Sequence, residues 1–426
     1  MTTKTLFSVL GLDGTSYSAA FQTERAHATD WARLLGQWHG AKRGAANSVQ
    51  CQCRPAQSIP LVLRQYETGK FTLARYPGSG PQHDSTCRYF GPSISGAISN
   101  AYVDGVVKED DGIYTVRLAT GRSMQEALIN TECVEPRPRQ GPGVSKQRAM
   151  TTLGLMQLLW EIAGLHEYRP AWKETRANSP TVASLLLNAA ADVRWGQAEL
   201  RDSLQVASTA RNGGLSKHNK AVAANAIKDR TRLVVIGRLK KYKAGTQASA
   251  VDLAASLRVP IEGVDCANPY LSKVQAQSLH HSFQRELSAW RTGATTYVAL
   301  IVEPEAGQSY FNLVRIALMH VSPRAIPLDS SYEAQVEDAL AGQNRTFVKP
   351  IRHVDGDATL PDFQLLDAGS SPLPMEVFGL NTPAYQTRMK EKEIYYNQQP
   401  NPPGWWRWDA FNGSPMPAFP ARAQNP

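Results

Sequence analysis

Apolar positions change their rhythm several times along the chain. From Ser48 to about Cys133, short runs at 60–65, 70–76 and 113–118 are separated by Gly, Pro and Asp, which predicts a β-rich module over 48–134. The segment 135–145 is dense in Pro and Gly and reads as a linker. Beyond it the pattern turns helical. LGLMQLLWEIAGL (153–165) and VASLLLNAAADV (182–193) are too apolar for surface helices and predict a core. Residues 211–228 are polar, basic and glycine-containing and read as a mobile loop. Residues 232–243 read as a buried strand running into a basic end. A helix is expected over 277–290, then two antiparallel strands at 296–302 and 311–319 joined through a turn at 304–307. Together these make a mixed α/β middle domain over 146–328.

The stretch 329–410 has the most readable order. Asp329 or Ser330 can cap a helix through residue 341, with Tyr332, Val336, Ala339 and Leu340 on its apolar face. Strands are expected at 346–352, 360–366 and 374–378. Pro383 then opens a helix to about residue 396. On that helix Tyr385, Arg388, Met389, Lys392 and Tyr396 share one face, and Lys390 points elsewhere.

The ends are less patterned. Residues 1–47 read as a leader segment with one amphipathic helix at 25–37, and 411–426 as a flexible tail. The chain's 426 residues suggest two to four domains, and 42% hydrophobic with 19% charged residues is a globular composition. No run of about 18 apolar residues is present, and the first residues lack a signal-peptide pattern. The expectation is therefore a cytoplasmic protein without a membrane span.

Charge changes the picture by its placement. The net charge is +9, and residues 201–250 alone hold eleven Lys/Arg against two Asp/Glu. Residues 330–396 hold six Lys/Arg against ten Asp/Glu. A basic segment beside an acidic module suits a metal-dependent enzyme acting on a polyanion, although a basic run alone is more often a solvated face. Arg238, Lys240, Lys241 and Lys243 around Tyr242, together with Arg388, are the candidate nucleic-acid contacts. No GxxxxGK[ST] loop is present.

Five cysteines, an odd count, argue against a disulfide framework. Cys51, Cys53 and Cys87 fall close to His83, as CxC and HxxxC pairs on separate turns. Tetrahedral zinc takes four such ligands, and a full protein set leaves no position for water, so a structural zinc is expected.

The chemistry-bearing residues lie downstream. Asp362 and Glu376 end short apolar runs, and a helix carrying lysine follows, an arrangement that can hold a divalent metal. The order helix, strand, strand, strand, helix, with Pro361-Asp362 and Glu376, resembles the PD-(D/E)xK restriction-endonuclease-like superfamily. That resemblance implies Mg²⁺ or Mn²⁺ at Asp362 and Glu376, a helix acid at Glu333 in preference to Glu337, and a lysine orienting the attacking water. The chain departs from the pattern where Glu-x-Lys is expected: it reads Glu376-Val377-Phe378. Lys392 on the following helix is placed to take the role, and Lys390 is the second choice.

A wider resemblance rests on CxC…HxxxC, LLWEIAGL, RTFVKP, LPDF, MEVFG, Asn381-Thr382-Pro383 and the Trp-rich GWWRW. The chain is similar in these to an uncharacterised bacterial family, a domain of unknown function often carried on plasmids and integrative elements. The resemblance implies a link to mobile DNA and possible protein partners from such elements. The combined expectation is an α+β multidomain protein: a zinc-binding β-rich module, a mixed α/β middle domain and a restriction-endonuclease-like α/β module. Its expected function is Mg-dependent cleavage of DNA at Glu333, Asp362, Glu376 and Lys392. The alternative is a non-catalytic nucleic-acid-binding or scaffold protein of a mobile element, with an inactive module and a structural zinc.

Overall fold

Short alternating strands with turn residues between them build the first sheet. In this computed structural model, residues 5–39, 48–54, 57–65, 71–76, 79, 82–84, 87–89, 107–110, 113–124, 149–173, 175, 178–209, 213–243, 257–263, 266–351, 359–369, 371–398 and 404–423 are described. Strands Ser16–Tyr17, Val9–Leu10, Val49–Cys51, Ile59–Gln65 and Phe71–Arg75 lie side by side in that order, all antiparallel. In Val49–Cys51 the two outer residues are buried and Gln50 is half-exposed, the period of two expected of a one-sided sheet. The helix Ala28–His39 covers the apolar face, and its Leu35 and Trp38 join Val9, Val49, Ile59 and Leu61 in one core. Residues 5–39 of the expected leader therefore do not stand apart. A small sheet needs a cover to bury its inner face, and residues 5–39 supply both that cover and two strands.

The middle of the chain carries the largest core. Leu204–Val206 and Leu233–Arg238 run parallel, and Thr295–Pro304 and Phe311–Val321 continue the sheet antiparallel. The last two are the expected strand pair. Residues Leu233 to Ile236 are all buried, as befits strands covered on both faces. The helices Thr152–Ile162 and Ser179–Ala190 pack there, and Trp160 Nε1 donates to the Ala325 carbonyl at 2.9 Å.

Three expectations are corrected in this region. The mobile loop at 211–228 is mostly the helix Gly213–Asp229, which links the two parallel strands and buries Leu215, Asn219, Val222 and Ala226 along one stripe. Only Leu215 and Val222 in that stripe are sizeable apolar residues, so its apolar signal is faint. The helix expected over 277–290 is two, Lys273–Ser282 and Gln284–Arg291, broken at Phe283 where φ is −125° and ψ is 37°. The strand Ile113–Val116, assigned from sequence to the β-rich module, pairs in parallel with Val193–Trp195, and Tyr114 and Val116 join the middle core.

The last sheet is ordered Trp406–Trp408, Leu373–Val377, Phe363–Leu365, Phe347–Val348 and Glu167–Tyr168. Its outermost strand comes from the segment expected inside the middle domain, so the boundary at 328/329 does not separate two independent sheets. Ser330 caps the helix Ser331–Gly342, its hydroxyl accepting from Glu333 N at 3.1 Å. Gly379 lets the chain pass against this helix: a Cβ there would stand 2.8 Å from Tyr332 Cδ2. The expected flexible tail is packed as far as residue 423. Trp406 Nε1 donates to Ala418 O at 3.1 Å, Arg345 donates to Pro420 O at 2.8 Å, and Met416 and Phe419 rest on the module's core.

The linker 135–145, Cys133 and residues 244–250 of the basic segment lie outside the described residues. Among the described residues, no helix is long and apolar enough to cross a membrane.

Candidate functional site

Two clusters bring chemistry-bearing side chains together. The first is built at the end of the central strand of the N-terminal sheet. Cys51 ends a strand and Cys53 follows two residues later, while His83 and Cys87 come from the segment after Phe71–Arg75. All four are buried, and their ligand atoms lie within 4.8 Å of one another. Cys51 Sγ is 3.8 Å from Cys87 Sγ. His83 Nδ1 is 3.4 Å from Cys53 Sγ and 3.7 Å from Cys87 Sγ. Zinc–sulfur bonds of about 2.3 Å place tetrahedral sulfurs about 3.8 Å apart, so the donors already stand at tetrahedral spacing.

The surroundings of this cluster also suit a metal. Asp84 N donates to Cys53 Sγ and Tyr89 N to Cys87 Sγ, each at 3.4 Å. The other imidazole nitrogen of His83 is 3.4 Å from Ser79 Oγ, an outer contact that fixes the ring. The hydrogen bond between Cys51 and Cys87 pulls the Cys87 thiol down and pushes the Cys51 thiol up, the behaviour of sulfurs crowded around one point. These residues can hold a metal ion such as zinc.

The second cluster is acidic. In Leu373–Val377, Met375 and Val377 enter the module's core, and Glu376 between them faces the opposite side, under the helix Pro383–Asn397. Glu376 is 1% exposed. Lys392 Nζ donates to Glu376 Oε2 at 2.7 Å and to the Leu360 carbonyl at 3.0 Å. The Tyr396 hydroxyl donates to Glu376 Oε1 at 2.8 Å and accepts from Thr359 Oγ1 at 2.8 Å. Asp362 sits one residue before Phe363–Leu365, and its Oδ2 accepts from Val377 N at 2.7 Å. Burial, with the neighbouring negative charge of Asp362, pushes the Glu376 carboxyl up to about 8 even against Lys392.

Glu333 reaches the same centre from its helix. Its Oε2 lies 2.8 Å from Lys349 Nζ and accepts from Asp329 N at 3.0 Å. Burial pushes this carboxyl up while Lys349 pulls it down, and the charges of Asp329 and Asp362 add to the rise. Glu337 faces elsewhere, bound to Arg324 at 2.7 Å and to the Ser322 hydroxyl at 3.0 Å. Lys390 and Arg388 are exposed. Glu333 and Lys392 thus have partners at the acidic centre, whereas Glu337 is bound to Arg324 and Lys390 is exposed.

A family model described as "Protein of unknown function (DUF1173)" matches residues 17–410. The chain belongs to that family. The match runs from the first sheet through the acidic module, so both clusters lie within it. No curated protein and no solved structure matched the chain.

Arg238 is held by Glu262, its Nε 2.6 Å from Oε2. Tyr242 packs edge-on against Trp290 at 5.0 Å rather than standing free between lysines. Lys240, Lys241 and Lys243 are exposed. The Trp-rich segment supplies the edge strand Trp406–Trp408, parallel to the strand of Glu376.

Sequence reasoning missed Lys349, Tyr396 and Thr359 as members of the acidic centre. Lys349 lies in RTFVKP, and a lysine is rarely buried unless it is paired, as this one is with Glu333.

Proposed function

We propose that the protein is a metal-dependent nuclease that hydrolyses DNA phosphodiesters at the acidic centre, with a zinc ion holding the N-terminal module folded. The observation that carries this reading is the meeting of Asp362, Glu376 and Lys392 from two adjacent strands and the following helix, although the Glu-x-Lys spacing is absent from the sequence. The helix, three strands and helix in which they sit support the likeness to the PD-(D/E)xK superfamily.

Asp362 and Glu376 are donors of the kind that a hard divalent cation such as Mg²⁺ or Mn²⁺ takes. Burial and the neighbouring charge of Asp362 push the Glu376 carboxyl up, and a cation beside the two would offset that. When bound, such an ion supplies charge neutralisation and a more acidic water. Asp362 and Glu376 would hold it, and the backbone N–H of Val377 keeps Asp362 oriented. Lys392 presents an ammonium beside the reacting phosphate, where negative charge grows as water adds to phosphorus and a P–O bond breaks. Tyr396 and Thr359 keep the Glu376 carboxylate in place.

A second reading has a specific observation in its favour. Lys392 is engaged by Glu376 and Leu360, which also describes an inert module whose buried acid is merely neutralised. In that case the protein binds nucleic acid without cutting it. Incubating the zinc-loaded protein with plasmid and oligonucleotide DNA in Mg²⁺ or Mn²⁺ separates the two. Cleavage that is lost in Glu376→Gln while DNA binding persists supports the nuclease. Salt-sensitive binding with no cleavage supports the inert module.

A further inference from the structure

Both oxygens of Glu376 are engaged from the helix Pro383–Asn397. The Lys392 ammonium donates to Oε2 at 2.7 Å, and the Tyr396 hydroxyl donates to Oε1 at 2.8 Å. Lys392 also donates to the carbonyl of Leu360, two residues before Asp362, at 3.0 Å. Its positive charge therefore bridges the two chain segments that carry Asp362 and Glu376, as a cation shared by the two acids would.

The two partners of Glu376 differ in how they tolerate such a cation. A hydroxyl is neutral, and a carboxylate has lone pairs enough to serve it and a metal together. An ammonium is a competitor. With metal–oxygen bonds of about 2.1 Å, an ion on Oε2 would stand within about 4.8 Å of the Lys392 nitrogen, two like charges beside a buried carboxyl. The surroundings favour release of the same partner. The Lys392 side chain is 26% exposed and sits on a flexible stem. Tyr396 is 6% exposed, is held by Thr359 Oγ1 at 2.8 Å and packs on Trp405 with ring centres 5.3 Å apart.

We propose that Lys392 is a place-holding cation, which yields Glu376 Oε2 when a divalent ion takes that carboxylate and only then turns its ammonium to the phosphate. This rests on the metal reading of the acidic centre and adds a coupling to it: the lysine is available to substrate once the ion is bound. The grip of Glu376 on Lys392 is then compatible with a working site, because ion binding breaks it.

Amine labelling of the zinc-loaded full-length protein at one fixed pH, read by mass spectrometry at single lysines, tests this on the wild type without any substitution. Mn²⁺ binding is followed alongside by electron paramagnetic resonance, and the binding that counts is that lost in Asp362→Asn/Glu376→Gln. Saturating Mn²⁺ should raise the labelling rate of Lys392 several-fold and leave that of Lys390, exposed on the same helix, unchanged. Lys392→Met should bind Mn²⁺ several-fold more tightly than the wild type, and Tyr396→Phe no more tightly. Unchanged labelling of Lys392 with that Mn²⁺ bound, or weaker Mn²⁺ binding by Lys392→Met, overturns the place-holding role and leaves the metal reading standing. Tighter binding by Tyr396→Phe overturns it as well, since the hydroxyl would then be the displaced partner. If the wild type binds no Mn²⁺ that Asp362→Asn/Glu376→Gln removes, the metal reading itself falls, and the coupling with it.

Discussion

The Lys392 ammonium bridges Glu376 Oε2 at 2.7 Å and the carbonyl of Leu360, two residues before Asp362, at 3.0 Å. One side chain of the last helix thus ties together the two chain segments that carry the acids. The contact spans 16 residues of sequence, so no short motif can contain it.

That bridge separates the two lysines of the helix. Lys392→Met should lower metal-dependent cleavage by roughly 10²–10³-fold, as loss of a preorganised charge in an active site does. DNA binding should be retained. Lys390 is exposed, and Lys390→Met should leave the rate unchanged. Single-turnover cleavage by the two variants decides it, and the reverse pattern would put the wrong lysine in the site.

The thiol–imidazole cluster predicts a metal content. Protein purified without chelator should carry about one zinc per chain, lost in Cys51→Ser or Cys87→Ser, because binding of a structural metal is coupled to folding. Cys51 and Cys87 belong to the same core as Val49 and Ile59, so metal loss should open residues 48–89 to proteolysis. Cys266 lies elsewhere, beside Asn219, and Cys266→Ser should keep the zinc. Zinc-free protein with an intact N-terminal module would contradict this.

Acid should weaken the fold in part through Glu167. This buried carboxylate on the outer strand of the C-terminal sheet receives Arg75 of the N-terminal sheet at 3.1 Å and Arg169 at 3.3 Å. Burial alone would raise its pKa, but Arg75 and Arg169 outweigh it and hold the carboxyl below the usual carboxylate range. A group depressed in the folded state adds stability at pH above its unfolded value, roughly 4.3, and loses it as pH falls below that. The wild type should therefore exceed Glu167→Gln in urea midpoint at pH 7, and the gap should narrow as pH drops from 5 to 3. A gap independent of pH would rule the ion pair out as the cause.

The tail should be a stability element. Arg345 grips Asp367 through Nε at 2.9 Å and an Nη at 2.7 Å, and Ala423 N donates to Asp367 O at 2.9 Å. Both side chains are largely buried. Asp367→Ala removes the counter-ion of the buried Arg345 and should cost about 3 kcal/mol, the scale for breaking a buried pair. Denaturant unfolding measures this, and a loss below about 0.5 kcal/mol, the scale of an ordinary surface change, would contradict it.

Much of the C-terminal module was legible because its signals are local. Ser330 as a cap, Pro383 in a first turn and the Tyr385, Lys392, Tyr396 spacing each need only a few residues of context. The four zinc-type ligands were legible for a similar reason, since the closeness of CxC and HxxxC in sequence carries into space. What escaped was set by long-range pairing. Glu167–Tyr168 joins a sheet whose other strands lie some 180 residues or more downstream, and Ile113–Val116 pairs in parallel with Val193–Trp195. Neither partner leaves a mark in the local pattern. Lys349 was passed over because its partner Glu333 lies on a different element, and a lysine read alone looks like surface.

The central claim is that Asp362 and Glu376 hold a divalent ion that drives DNA cleavage. The most direct measurement is cleavage of a labelled DNA substrate by zinc-loaded wild type and by Asp362→Asn and Glu376→Gln, with Mg²⁺ or Mn²⁺ and with neither. The account predicts cleavage by the wild type only in the presence of the ion, and its loss in both variants while DNA binding remains. Cleavage of equal rate in the variants, or none by the wild type under any metal, would contradict it.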